Sequence, residues 1–330
     1  MSISLSTANK AELAYDSESD VDQELYREAR IRTLGDFATD WSVLAGTVAG
    51  SPDRLNEDAF AANLSSDRLQ VAVFDGTTSL VQVPGLGKMS GARFASHYLK
   101  DLFSDLVGVT KPSTIVTDLN KALLEKSLTI KGVDAGDTNT LPASTGTVVS
   151  IDPSDNSLSF AHIGDSFAVV YRESGVSELL TNNTNLPFDA RLYDLINEIA
   201  ASERITHREA QADPRVKELA YNLFIEKNNH PNGHGSGVIN GDPNMGIYIQ
   251  SGQMSLDGVR AILLGTDGLV PQGWSVKNSE DRRAMLDAVE SGGVKQVIAT
   301  KRLSENQDPD WQHTRWKHSD DATCIVLTTD

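Results

Sequence analysis

Residues 145–172, TGTVVSIDPSDNSLSFAHIGDSFAVVYR, decide the class of fold. Two runs rich in Val, Ile and Phe, TGTVVSID (145–152) and LSFAHIGDSFAVVYR (158–172), flank PSDNS, the composition of a tight reversal. Strands joined by so short a link pair antiparallel, because a parallel pair needs a crossover of a dozen or more residues. The same strand texture recurs on both sides, in 41–50, 69–77, 176–181, 259–270 and 322–329. Helices are expected over 91–107, 113–128, 191–203, 208–227 and 281–291. Thr206 and Glu209 have capping-box spacing, and Pro214 should break or restart the helix there. Strands in runs, with helices between the runs, predict an α+β protein with antiparallel sheets and exclude a doubly wound parallel sheet.

The flanks differ in texture. Residues 1–40 hold nine acids and four bases and read as an acidic N-terminal extension, in which VDQELYREARIRTL (21–34) is expected to form a docking helix. Residues 41–330 read as one domain, with the polar, Asn- and Gly-rich stretch 182–257 as a flap-like insertion. The whole chain of 330 residues has 29 basic and 46 acidic side chains, a net charge of −17. Such a balance excludes a general nucleic-acid binder and disfavours anionic membrane surfaces. The single cysteine, Cys324, excludes a disulfide framework or a Cys-x-x-Cys pair. The start, MSISLSTANKAELAYD, lacks the basic and apolar regions of a signal peptide, and no apolar run approaches the roughly 18 residues of a membrane span. A cytoplasmic protein is expected, with a monomer favoured.

The acids are not scattered. Asp75 closes LQVAVF, Asp165 interrupts AHIG and SFAVVY, Asp267 follows AILLGT, Asp320 and Asp321 precede ATCIVL, and Glu57 and Asp58 follow the first strand. An Asp at the tip of an apolar strand is costly unless it is paired or binds metal. Five strand ends carrying acids point to a shared cation. All-oxygen ligands suit Mg²⁺ or Mn²⁺, not zinc or copper. Several shared carboxylates imply two ions and transfer of phosphoryl groups to water.

In order along the chain, SPDRLNEDAF, VAVFDGT, SGARFAS, STGTVVSI, AHIGDSFAVVY, ILLGTDGL and HSDDATCIVL resemble the metal-dependent Ser/Thr protein phosphatases of type 2C. The resemblance covers roughly residues 41–330. It implies a β-sandwich of two antiparallel sheets flanked by helices, with Mn²⁺ or Mg²⁺ at one end. It implies that Asp75 bridges two core ions, that the Gly76 carbonyl and Glu57 bind one, and that Asp267 and Asp320 bind the other. Asp165, with Asp267, would hold a third ion, and Asp58 would orient water. The catalytic set implied is Asp75, Asp267 and Asp58, acting on phosphoserine or phosphothreonine in a protein substrate. Two departures stand out. The phosphate-binding arginine of the family usually lies four residues before the glutamate, whereas Arg54 lies three before Glu57. Asp75-Gly76 is followed by Thr77-Thr78, so the histidine that serves many members as general acid is missing there. A non-catalytic phosphoprotein-binding module, and the same chemistry on a small-molecule phosphate, stay open.

Other motifs fail on chemistry. Val73 stands where a haloacid-dehalogenase-type loop needs its nucleophilic Asp. Cys324 lacks the arginine six residues on that a cysteine phosphatase requires, since Asp330 is there. Gly85-Leu86-Gly87-Lys88 has Gln82 and Met89 where a P-loop needs Gly and Ser/Thr. His230, His234, His313 and His318 have no spacing that aims a pair at one ion, and His162 reads as a structural strand residue.

Overall fold

The structure, a computed structural model, describes residues 11–12, 31–32, 41–64, 68–106 and 111–329. Its strands are β1 (Ala11–Glu12), β2 (Ile31–Arg32), β3 (Trp41–Val48), β4 (Asp58–Leu64), β5 (Leu69–Gly76), β6 (Ser144–Asp152), β7 (Ser157–Ile163), β8 (Phe167–Arg172), β9 (Ser177–Leu179), β10 (Gln250–Ser255), β11 (Val259–Gly265) and β12 (Ala322–Thr329). The α-helices are α1 (Gly91–Asp105), α2 (Pro112–Ser127), α3 (Leu186–Glu203), α4 (His207–Gln211), α5 (Pro214–Lys227) and α6 (Ser279–Asn306).

The strands form two sheets, ordered β1-β4-β5-β6-β7-β10 and β2-β3-β12-β11-β8-β9, and every pairing is antiparallel. Strand alternation sorts the side chains. On β5, Leu69, Val71 and Val73 enter the core between the sheets, whereas Ala72 and Phe74 face outward onto α1 and α2. Both faces of the strand are therefore buried, which is why it reads as a nearly continuous apolar run. Phe74 meets Phe103 of α1 edge to face, with ring centroids 6.3 Å apart. On the other sheet, Met285, Leu286, Val289, Val297 and Ile298 of α6 cover Phe167, Leu263 and Val326. Helix, sheet, sheet, helix is the α+β sandwich expected. A separate apolar cluster, with Phe188, Ile196, Val216 and Leu223, packs α3, α4 and α5 into a lobe of their own.

Several boundaries depart from the sequence expectation. Segment 158–172 is two strands, β7 in one sheet and β8 in the other. The chain crosses between them at Gly164, whose φ of 96° and whose approach to Thr145 (a Cβ would sit 2.3 Å from its side chain) leave room only for glycine. The third helix starts at Leu186 instead of 191, whereas the break expected at Pro214 and the Thr206–Glu209 capping box, formed on α4, are both present. Helix 281–291 continues to Asn306 across a non-helical break at Gly292-Gly293. Residues Gln250–Ser255, expected within the flap-like insertion, form edge strand β10 against β7. Of the expected docking helix over 21–34, Ile31–Arg32 pair as strand β2 with Ser42 and Val43, and the rest lies outside the described residues. A two-residue strand cannot belong to a helix, and the free edge of β3 supplies its hydrogen-bond partners.

Candidate metal centre

One end of the sandwich interior is polar. Inward-facing positions that are apolar along most of each strand become hydroxyls or acids at this end: Thr47 after Ala45, Thr323 before Ile325, Thr147 before Val149, Thr266 after Leu264, Asp58 before Phe60 and Asp75 after Val73. These groups satisfy one another. Thr47 and Thr323 share a hydrogen bond of 2.7 Å, and Asn56 donates to Thr47 at 2.7 Å. Thr266 donates to Asp58 at 2.7 Å and accepts from the Thr323 amide at 3.0 Å. His162 pairs with the Thr147 hydroxyl at 2.9 Å, and burial pushes its imidazole down to about 4, so it is a neutral structural group.

On this layer the acids converge. Asp58 of β4 and Asp75 of β5 are direct cross-strand partners, and Thr145 of β6 is next in the row. Like charges directly opposite each other destabilise an antiparallel pair. Asp165 lies on the crossover from β7 to β8, and accepts from Thr145 at 2.9 Å and from Asn185 at the start of α3. Asp267 follows β11. Its successor Gly268 allows the Asp321 carbonyl to approach, since a Cβ there would lie 1.8 Å from that oxygen. Gly76 has the same function after Asp75, where a Cβ would lie 2.7 Å from the Ala92 carbonyl oxygen. Each Asp-Gly pair thus joins a strand-end acid to a glycine that lets a neighbouring segment close in.

The remaining acids are held by donors. Asp321 accepts the Gly50 and Glu57 amides, both at 2.6 Å, and so fixes the loop that carries Glu57. Ser90, the N-cap of α1, donates to Glu57 at 2.6 Å. Lys317 donates to Asp320 at 2.8 Å. Arg54 approaches Glu57 at 3.4 Å with its side chain 54% exposed. As the side chains stand, no group of three or more His, Cys, Asp or Glu among the described residues is arranged to hold a metal ion.

The electrostatics are those of crowded anions. Burial, and then the charges of Asp58, Asp267, Asp165 and Asp320, push Asp75 well above the usual carboxylate range. Burial and Asp321, opposed by the Thr266 hydroxyl, do the same to Asp58. Asp267 is pushed up to about 7 by burial, Asp165 and Asp320, against Lys317 and a hydrogen bond with Asp75. Burial opposes the charge of Lys317, yet Asp320, Asp75 and Asp267 hold its ammonium above the ordinary lysine range. In the lobe, burial pushes Asp189 up to about 6, with Lys227 opposing and Asp165 assisting.

A cleft of about 680 Å³ opens over the cluster. Asp75, Gly76, Asp165, Asp267 and Asp320 all line it, as do Lys227 of the lobe and the aromatic Tyr193, Trp274 and Trp316. Asp58 is buried beneath, 2% exposed. Glu57 and Arg54 line an adjoining cavity of about 340 Å³ instead. His313 reaches the cleft wall, whereas His230, His234 and His318 are not among its lining residues. Cys324 is fully buried in β12, and burial pushes its thiol up, far from nucleophile chemistry. The sequence reading missed Thr145, Thr266, Asn185 and Lys317, because a threonine on a strand or a lysine in a loop has no signal until its partner is known.

A four-layer sandwich with carboxylates gathered at one open end is the architecture expected of a metal-dependent phosphatase. The family model described as Protein phosphatase 2C matches residues 45–306, and the chain belongs to that family. Serine/threonine phosphatase Stp1 from Staphylococcus aureus has a similar structure, over 92% of this chain and 98% of its own, with 17% identity and a TM-score of 0.51. A bacterial serine phosphatase is similar over 87% and 96%, with 17% identity and a TM-score of 0.51. The S. agalactiae serine/threonine phosphatase is similar over 88% and 100%, with 15% identity and a TM-score of 0.50. At these identities the likeness shows the fold. Among curated proteins, no sequence matches this chain.

Proposed function

We propose that this chain hydrolyses phosphoserine and phosphothreonine in proteins, using Mn²⁺ or Mg²⁺. The observation that carries the reading is the Asp58–Asp75 pair, two carboxylates set directly opposite on adjacent strands at the buried polar end of the sandwich. A protein-only environment disfavours the ionised form of that pair, and a divalent cation reverses the preference. The donor set fits hard cations: Asp75, Asp165, Asp267 and Asp320 offer oxygen to one cleft, and the buried Thr77 hydroxyl beside it has no partner among the described residues. Asp75, the Gly76 carbonyl, Glu57, Asp267, Asp320 and Asp165 would hold the ions. When bound, such ions neutralise phosphoryl charge and make water more acidic.

The chain's own residues supply the rest. Asp58, whose carboxylate accepts from Thr266, would orient water at the centre from beneath the cleft. The lobe residues Leu186, Tyr193 and Phe224, with Trp274 and Trp316, give the cleft an apolar share of its lining that would contact the substrate around its phosphate. Arg54 would receive the phosphate from the adjoining cavity. The test is hydrolysis of an aryl phosphate and of a phosphothreonine peptide with Mn²⁺, with chelator, and by Asp75→Asn and Asp267→Asn. Full activity in either variant defeats the reading. Arg54 lines the adjoining cavity and not the acid-lined cleft, which favours one alternative, a phosphoprotein-binding module without turnover. Mn²⁺ binding together with zero turnover would select it.

A further inference from the structure

Two cavities meet beside the acids, one lined by Asp75, Asp165, Asp267 and Asp320, the other by Arg54, Glu57 and Ser90. Thr78, Trp316 and Lys317 line both, so Lys317 is the cation on the partition. A phosphoryl group entering here meets several carboxylates, and its binding requires positive charge from the protein as well as from ions. Arg54 is a weak source by itself: its side chain is 54% exposed and its distance to Glu57 is 3.4 Å. Lys317 is better placed. Its side chain is 24% exposed, lines both cavities and bonds Asp320 at 2.8 Å, which uses one of its three N–H donors.

The loop that carries Lys317 has no regular secondary structure between α6 and β12, yet it is fixed on both sides of the residue. Before it, buried Arg315 donates to the Asp308 carboxylate at 2.7 Å and to its carbonyl at 2.8 Å. After it, Ser319 donates to buried Glu305 at 2.8 Å, and Arg302 donates to the Asp320 carbonyl at 2.8 Å. A lysine held this way needs little reordering to meet a ligand, and as a compact point charge it tolerates the changing geometry of a phosphoryl group.

We propose that Lys317 is a phosphate-binding residue, holding the substrate's phosphoryl group between the two cavities together with Arg54. The inference rests on the phosphatase reading and names the group that receives the phosphate in the same site. Calorimetric titration of the Mn²⁺-loaded protein with inorganic phosphate tests it without requiring turnover. Lys317→Met should weaken phosphate binding about tenfold or more, the loss expected for one charge-assisted hydrogen bond, and Lys317→Arg should recover most of it. In an aryl phosphate assay the Met variant should raise KM more than it lowers kcat. Phosphate affinity in Lys317→Met within about twofold of wild type, with only Mn²⁺ affinity changed, would mean that the lysine merely positions Asp320, and would overturn the proposal. A wild type that binds no phosphate overturns it as well. A wild type that binds phosphate but turns nothing over defeats the phosphatase reading and leaves the Lys317 result to be read from the titration.

Discussion

Along β3, β5 and β12 the inward-facing positions are Trp41, Val43 and Ala45, then Leu69, Val71 and Val73, then Leu327 and Ile325 toward one end of the sandwich. At the other end the same strands present Thr47, Asp75 and Thr323. Toward the first end every buried group gains by leaving water, at about 25 cal/mol per Å² of apolar surface. At the second, burial raises the energy of each ionised group, and Asp58, Asp75 and Asp267 all shift toward the protonated form. One continuous set of strands thus separates an apolar end from an acidic one, and the boundary is the threonine layer at Thr47, Thr147, Thr266 and Thr323.

The largest expected effect breaks the acidic end. Asp75→Asn should lower Mn²⁺-dependent turnover about a thousandfold, since a cation at a reacting phosphoryl group supplies several kcal/mol and about 1.4 kcal/mol is tenfold. The same variant should melt at a higher temperature than wild type in chelator, because it removes one of two opposed carboxylates. An apolar-end variant should do the reverse: Ile151→Ala should cost about 2–5 kcal/mol in urea unfolding and leave the Mn²⁺ affinity of the folded protein unchanged. Thr266→Val probes the boundary. It strips Asp58 of its hydroxyl donor and should cost about 1–3 kcal/mol, together with a smaller loss of turnover.

The smallest effect is a pH slope. A carboxylate raised in the folded state binds a proton that the unfolded chain releases, so stability falls as pH rises from its unfolded value toward its folded one. For Asp267 that window runs from the ordinary aspartate value near 4 to about 7. Melting temperature in chelator should therefore decline across that window by roughly a few °C, and Mn²⁺ should flatten the decline. A slope that Mn²⁺ leaves unchanged would place the responsible acids away from the proposed centre.

Much of this division is legible in the sequence, but unevenly. LQVAVFDG and AILLGTDG each show an apolar run ending in Asp-Gly, and both the strand and an acid that lines the cleft follow from that pattern. DAFAANL, the strand carrying Asp58, is not legible as one: three alanines in seven residues give little β signal, and it is a strand through its pairing between β5 and β1. QSGQMS reads as part of the insertion because it is polar, as an edge strand with one solvated face can be. Gly292-Gly293 reads as a helix end, and the backbone is indeed non-helical there, but Val294, Val297 and Ile298 resume the same apolar face. The hydroxyls that hold the acids depend on contacts such as Thr266–Asp58, 208 residues apart, which local pattern cannot show.

The two short strands near the N-terminus bear on a different property. β1 lies at the outer edge of one sheet against Asn63 and Leu64, and β2 at the outer edge of the other against Ser42 and Val43. Residues 11–12 and 31–32 therefore pair with both sheets, each on a flank whose backbone amides and carbonyls would otherwise be open to pairing. Unprotected flanks of that kind are templates for joining one molecule to the next. A chain trimmed to begin at Trp41 would expose β3 and β4 together, on one side of the sandwich. Its chief defect would then be self-association on storage, visible as light scattering that grows with concentration, while the cleft and its acids keep their own hydrogen bonds.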